Sequence, residues 1–217
     1  MDSYSKGYID ALVDAQSHID GYFFLEESLS PALLDAMQKV CPITPNQDGA
    51  ETPAYVYSHY FLGRRATALA RIDLLNKLSQ NFDVTVYTHA DCKDILPTAI
   101  YGGKIDYYDT MPTVFQHSKI NLNITLKTIQ IGIPLRAWDI LGCGGFLLTN
   151  FQQELCDFFI PGEDFVYYES PTDAIEKAAY FLSHDRERQE IAHNAFEKIA
   201  ASHTFHHRVQ SMFEIIT

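Results

Sequence analysis

Long apolar runs are missing from this 217-residue chain, and none reaches the roughly 20 residues that a membrane-spanning helix needs. The opening MDSYSKGYID has no apolar core of a secretory leader. Positive charge is also scarce. Sixteen Lys and Arg face 28 Asp and Glu, a formal net charge of -12, which argues against a surface built to neutralise nucleic-acid phosphates. Cysteines number four, at 41, 92, 143 and 156, with no CxxC or zinc-type spacing. They read as reduced thiols. The expectation is a cytoplasmic protein with no transmembrane segment and no nucleic-acid partner.

The length suffices for one domain, or one domain with an appendage, around a proper core. Residues 1–52 read as a helical linker or extension. Tyr8, Ile9, Leu12 and Val13 form one apolar series. Ser30 and Pro31 open a second helix as N-cap and N1, with Leu33, Leu34, Met37 and Val40 as its stripe. Pro42, Pro45, Asn46 and Gly49 mark the 41–52 loop that ends the segment. Residues 53–217 then alternate. A strand is expected over 55–61, a tight Gly63-Arg64-Arg65 loop, and a helix over 66–80 with Leu69, Ile72, Leu75 and Leu78 inward. Strands over 82–88, 120–125, 146–148 and 165–168 follow, with helices over 111–118, 135–141, 151–159 and 171–182. Two closing helices cover the sheet, the last with Phe205, Val209, Met212, Phe213 and Ile216 as its stripe. Strands alternating with helices predict an α/β fold with a doubly wound parallel sheet. Its ligands lie beyond the carboxyl ends of the strands.

The stretch from Ser118 to Glu154 organises the rest. Side chains alternate along a strand, so Asn121, Asn123 and Thr125 share one face and Ile120, Leu122 and Ile124 the other. A polar row in a covered parallel sheet needs partners or a ligand; an edge strand with an ordinary polar face is the competing reading. Arg136 sits in the first turn of the 135–141 helix, the wrong sign for the helix dipole. It is placed to join backbone N–H groups around a phosphate, and Asp139, three residues on, to accept from ribose hydroxyls. The bland alternative is an exposed Arg136/Asp139 ion pair. Arg64 and Arg65 read either as the end of an anion-binding loop or as a solvated pair. Gly142, Gly144 and Gly145 serve backbone geometry after the helix, with Gly142 expected at the left-handed position.

At this point the run NLNITLKTIQIGIPLRAWDILGCGGFLLTN, followed in order by QQEL, PGEDFVYYES and HTFHHR, resembles the C-terminal half of the CgeB-like glycosyltransferases, from about residue 55 to the end. The resemblance implies the second, Rossmann-like domain of a GT-B fold, which holds a nucleoside diphosphate sugar for transfer to an acceptor hydroxyl. It implies that the acidic residue of RAWDILG, here Asp139 where glutamate is more usual, holds the donor ribose. Ile105 would offer its backbone beside the base, with a neighbouring tyrosine either stacking or packing. Thr149, Asn150 and Glu154 would lie near the donor sugar. GT-B enzymes generally need no metal, so no cofactor is expected; leaving-group charge would fall to Arg136, Lys127, the Arg64/Arg65 pair and helix-terminal N–H groups. His203, His206 and His207 lack the carboxylate or cysteine that would complete a metal set. In GT-B enzymes the acceptor site and general base come from an N-terminal domain. The expected partners are therefore a nucleotide-sugar and a missing N-terminal acceptor domain or partner subunit. The alternative is a non-catalytic nucleotide-sugar-binding module.

Overall fold

The structure, a computed structural model, describes residues 1–44, 49 and 51–216, the last without its side chain. Pro45 and Asn46 of the expected loop lie outside the described residues. The chain divides into two compact units. One is Met1–Leu75 with Thr125–Gln130, the other Asn76–Ile124 with Ile131–Thr217. The first therefore takes in residues on both sides of the expected 52/53 step.

The first unit opens with helix α1, Ser3–Ser17, capped by Asp2, whose carboxylate accepts from the Ser5 N–H at 2.9 Å. Helix α2, Pro31–Val40, begins as Ser30-Pro31 predicts. Between them the fully buried Gln16 side chain accepts from Phe24 N and donates to Tyr22 O, both at 2.9 Å, which pins the 19–24 turn to α1.

The 55–61 run is not a strand. Thr52 caps a short helix, Pro53–Tyr55 (α3), that continues as π-helix over Val56–Leu62 and then as α4, Gly63–Ser79. Aromatic and β-branched residues favour a strand only where a pleated surface receives them. Here burial at helical spacing wins: Tyr57, Leu62 and Ala66 are buried five and then four residues apart. The Tyr57 hydroxyl lies 2.6 Å from both Gln38 Oε1 and the Cys41 carbonyl oxygen. Gly63 is helical, and a Cβ there would collide with Thr128 Cγ2 and lie 3.0 Å from Ser58 O. Along α4 Leu74 and Leu78 are buried, while Leu69 is exposed, contrary to expectation. Ile9, Val13, Leu25, Leu29, Leu33 and Met37 complete this unit's core with Tyr57, Leu62 and Ala66.

In the second unit β1, Thr85–Tyr87, pairs in parallel with β2, Ile100–Gly103. The last residues of α4 hold the connection: Asn76 Nδ2 donates to Ile95 O at 3.0 Å, and Ser79 and Thr98 hydroxyls meet at 2.6 Å. After α5, Met111–His117, comes a second parallel sheet in the order β3-β4-β5, from Asn121–Asn123, Leu147–Asn150 and Val166–Tyr168. Helix α6, Leu135–Gly142, joins β3 to β4, and a 3-10 turn, Gln153–Asp157, stands where a longer helix was expected. Helices α7, Pro171–Ser183, and α8, Asp185–Ser202, follow, then α9, Phe205–Ile216. Strand β4 is buried along its whole length, as a parallel strand covered on both faces should be. Around it pack Phe115, Ile140, Leu141, Leu155, Phe159, Phe165 and Ala195. The result is a mixed α/β, Rossmann-like protein with parallel sheets.

Two closing details differ from expectation. Gly144, at φ +73°, takes the left-handed position, while Gly142 still ends the helix. Phe205, Met212 and Phe213 of the α9 stripe are 92%, 63% and 65% exposed instead of covering the sheet.

Candidate functional site

Strand β3, helix α6 and strand β4 form a strand-helix-strand crossover, so α6 begins on the carboxyl side of the β3-β4-β5 sheet. Pro134 precedes it, and no side chain caps its first N–H groups. No acid occupies the first turn. Arg136 projects from that turn with its guanidinium 5.9 Å from the Tyr107 ring and 5.6 Å from the Phe115 ring. Its Nη1 also touches the Met111 sulfur. Arg136 is exposed and makes no ion pair among the described residues. The simple Arg136/Asp139 pair is therefore absent there. Asp139, half-buried, instead accepts from the Tyr107 hydroxyl, 2.9 Å from each carboxylate oxygen. That bond is the main reason the Tyr107 phenol titrates above its ordinary value.

Tyr107 is positioned by the β2–α5 connection. The Asp106 carboxylate accepts the N–H groups of Tyr108 and Asp109 at 2.8 Å each, an Asx turn that holds the carboxyl below its usual range. Met111 N donates to the Asp106 carbonyl at 2.9 Å, which starts α5. Ile105 lies half-buried one residue earlier. Ile105, Tyr107, Met111, Phe115, Arg136 and Asp139 thus belong to two neighbouring segments of one unit, joined by contacts of rings, sulfur, cation and carboxylate.

The polar row of β3 turns inward, not outward. Asn121 and Asn123 are buried while Leu122 between them is only half-buried. Asn121 Nδ2 donates to Phe115 O at 2.9 Å and to Phe146 O at 3.3 Å, clamping α5 to the residue that leads into β4. A Cβ on Gly145 would stand 2.7 Å from that nitrogen and 2.8 Å from Phe115 O, so the clamp requires glycine. Asn123 Nδ2 donates to Thr149 Oγ1 at 3.0 Å, and Thr149 Oγ1 donates to the Asn150 carbonyl at 3.1 Å. Asn123, Thr149 and Asn150 therefore meet at the carboxyl edge of the sheet, bonded to one another. The side chain of Glu154, in the first turn of the 3-10 segment, makes no hydrogen bond or ion pair among the described residues.

The remaining expected cations belong to the first unit. Arg64 and Arg65 lie within a continuous helix, not in a loop after a strand, so the expected anion-binding turn does not form. Arg64 stacks over Tyr60 at 5.8 Å, and Arg65 pairs with Asp10 at 2.9 Å. Lys127, 7% exposed, directs its ammonium to Asp20 Oδ1 at 2.7 Å and Ile19 O at 3.2 Å. These bonds give it a structural role that the sequence pattern did not anticipate. The Tyr107–Asp139 bond was missed as well; the only signal for it was a tyrosine close after the base-side Ile105.

The fold is that of a mixed α/β, Rossmann-like domain with parallel sheets. A family model described as glycosyl transferase-like matches residues 65–214, and the chain belongs to that family. All expected site residues except Arg64 lie within the matched stretch. No curated protein and no solved structure matches the chain. No helix among the described residues is long and apolar enough to cross a membrane.

Proposed function

We propose that the chain is the donor domain of a GT-B glycosyltransferase related to the CgeB-like enzymes, and that its second unit holds a nucleoside diphosphate sugar. The observation that carries this reading is Arg136, a guanidinium without a carboxylate partner among the described residues, on an uncapped helix start at the carboxyl side of a parallel sheet. An anionic diphosphate is what such a position stabilises, because the backbone N–H groups and the guanidinium act on the same charge. When the sugar leaves, charge grows on the diphosphate, and the same groups stabilise it.

Asp139 is the ribose acceptor in this reading. A carboxylate has about four lone-pair sites, so the Tyr107 hydroxyl leaves room for ribose hydroxyls. Ile105 and the Tyr107 ring border the base. Asn123, Thr149 and Asn150 shape the sheet edge near the sugar, and Glu154 offers it an unengaged carboxylate. Arg64, Arg65 and Lys127 are left out of the diphosphate contact, since helix, Asp10 and Asp20 account for them. No metal is invoked. The acceptor site and general base come from a separate acceptor domain or subunit, so in isolation the chain binds donor with little or no transfer.

Calorimetric titration of the whole chain with UDP, GDP and the matching nucleosides tests the reading. It predicts that one diphosphate binds more tightly than its nucleoside; equal or no binding of both diphosphates contradicts it.

A further inference from the structure

Trp138, the one tryptophan of the chain, lies on α6 with its ring 5.4 Å from that of His203, the residue that ends α8. Phe158 and Phe159 enclose the imidazole at 5.3 and 6.0 Å. Arg208, in the first turn of α9, lays its guanidinium over Trp138 at 5.7 Å and over Phe158 at 5.8 Å. Its Nη2 stands 2.8 Å from His203 Nδ1. A guanidinium donates and cannot accept. Nδ1 is therefore the acceptor, and the imidazole is neutral with its proton on Nε2.

We propose that His203 is a proton-operated latch for α9. With the ring neutral, Arg208 bridges α9 to His203 and to the α6 indole. Protonation turns Nδ1 into an N–H that faces a guanidinium, with two positive charges in contact, and the helix lets go.

Phe205, Val209, Met212, Phe213 and Ile215 are exposed. At the start of α9, Thr204 Oγ1 and His207 Nδ1 meet at 2.7 Å. The charged and titratable groups that face His203 are Arg208 and His207 of α9; α6 and the 158–159 segment present uncharged rings. Burial first, then Arg208 and His207, hold His203 below the ordinary histidine value of 6.5. In the released state it returns toward that value, so release binds protons. The latch is closed above pH 6.5 and weakens as the pH falls toward the depressed value.

Emission of Trp138, which an imidazolium quenches, is followed from about pH 8 to about pH 5. Hydrogen exchange of residues 205–216, corrected for intrinsic rates, is measured on the same samples. The expected result is one quenching step below pH 6.5, with α9 losing protection over the same range. His203→Gln keeps an acceptor without titrating and should remove both changes. Arg208→Gln, which removes the facing charge, should raise the midpoint toward the ordinary value. An emission step that survives His203→Gln, an α9 equally protected on both sides of the step, or a midpoint unmoved by Arg208→Gln overturns the latch.

Discussion

The Tyr107 hydroxyl donates to Asp139 with 2.9 Å to each carboxylate oxygen, and so ties the β2–α5 connection to α6. The tie places an aromatic face 5.9 Å from the Arg136 guanidinium. A stacking surface, a cation and a carboxylate thus share one neighbourhood, which is the inventory that a base, a diphosphate and a ribose require.

Arg136 and Asp139 should separate in binding. Arg136→Ala weakens nucleoside diphosphate affinity about tenfold or more, since a hydrogen bond to a charged group contributes ~1.5–3 kcal/mol, and leaves affinity for the nucleoside unchanged. Asp139→Ala weakens both alike, because both carry the ribose. Calorimetry on the two variants reads the difference; equal losses for Arg136→Ala against nucleoside and diphosphate would remove its phosphate role. The melting temperature of Arg136→Ala should stay near wild type, because the side chain is exposed.

Gly145→Ala should destabilise the protein by ~1–3 kcal/mol. The new methyl would displace Asn121 Nδ2, 2.7 Å away, and leave a buried amide unpaired. Urea denaturation measures it, and a change under about 0.5 kcal/mol would show that the clamp is dispensable.

Removing Asp20 should cost more than removing Asp35, although each pairs with a lysine. Lys127 is 5% exposed at its side chain and Lys39 78%. Asp20→Ala strands a buried ammonium at a cost of ~1–3 kcal/mol, while Asp35→Ala falls within the ~0–1 kcal/mol of surface pairs. Equal midpoints of denaturation would contradict the structural role of Lys127.

Acid should loosen the turn that carries Tyr107. The Asp106 carboxyl is held below its ordinary 3.8 by the N–H groups of Asp109 and Tyr108. Its contribution is therefore complete above pH 3.8 and is lost as the pH falls through the depressed value. Amide exchange of Tyr108 and Asp109 should speed up over that range, beyond the intrinsic rate. In Asp106→Asn, which keeps an acceptor but does not titrate, the extra acceleration should vanish.

Where local signals and burial agree, the fold was legible in advance. Ser30-Pro31 announced α2, and the apolar run after Gly145 became the buried β4. Thr52-Pro53 is the same kind of signal, yet the aromatics after it read as a strand; their burial at steps of five and four was hidden from a local pattern. The site divided in the same way. The order of RAWDILG placed Arg136 and Asp139 on one helix start, whereas the partners of Lys127 and Asn123 lie 107 and 26 residues away in the chain. Pairing at that separation leaves no trace in spacing. The inward turn of Asn121 and Asn123 was invisible for the same reason, since alternation fixes which residues share a face but not which face meets the core.

The most direct test of the central claim is amide chemical-shift mapping of the isotope-labelled chain on addition of UDP or GDP. The account predicts that the largest perturbations fall on Tyr107, Met111, Arg136 and Asp139, with those of Arg136 absent when the nucleoside replaces the diphosphate. Saturable shifts confined to other residues, or none with either nucleotide, would contradict it.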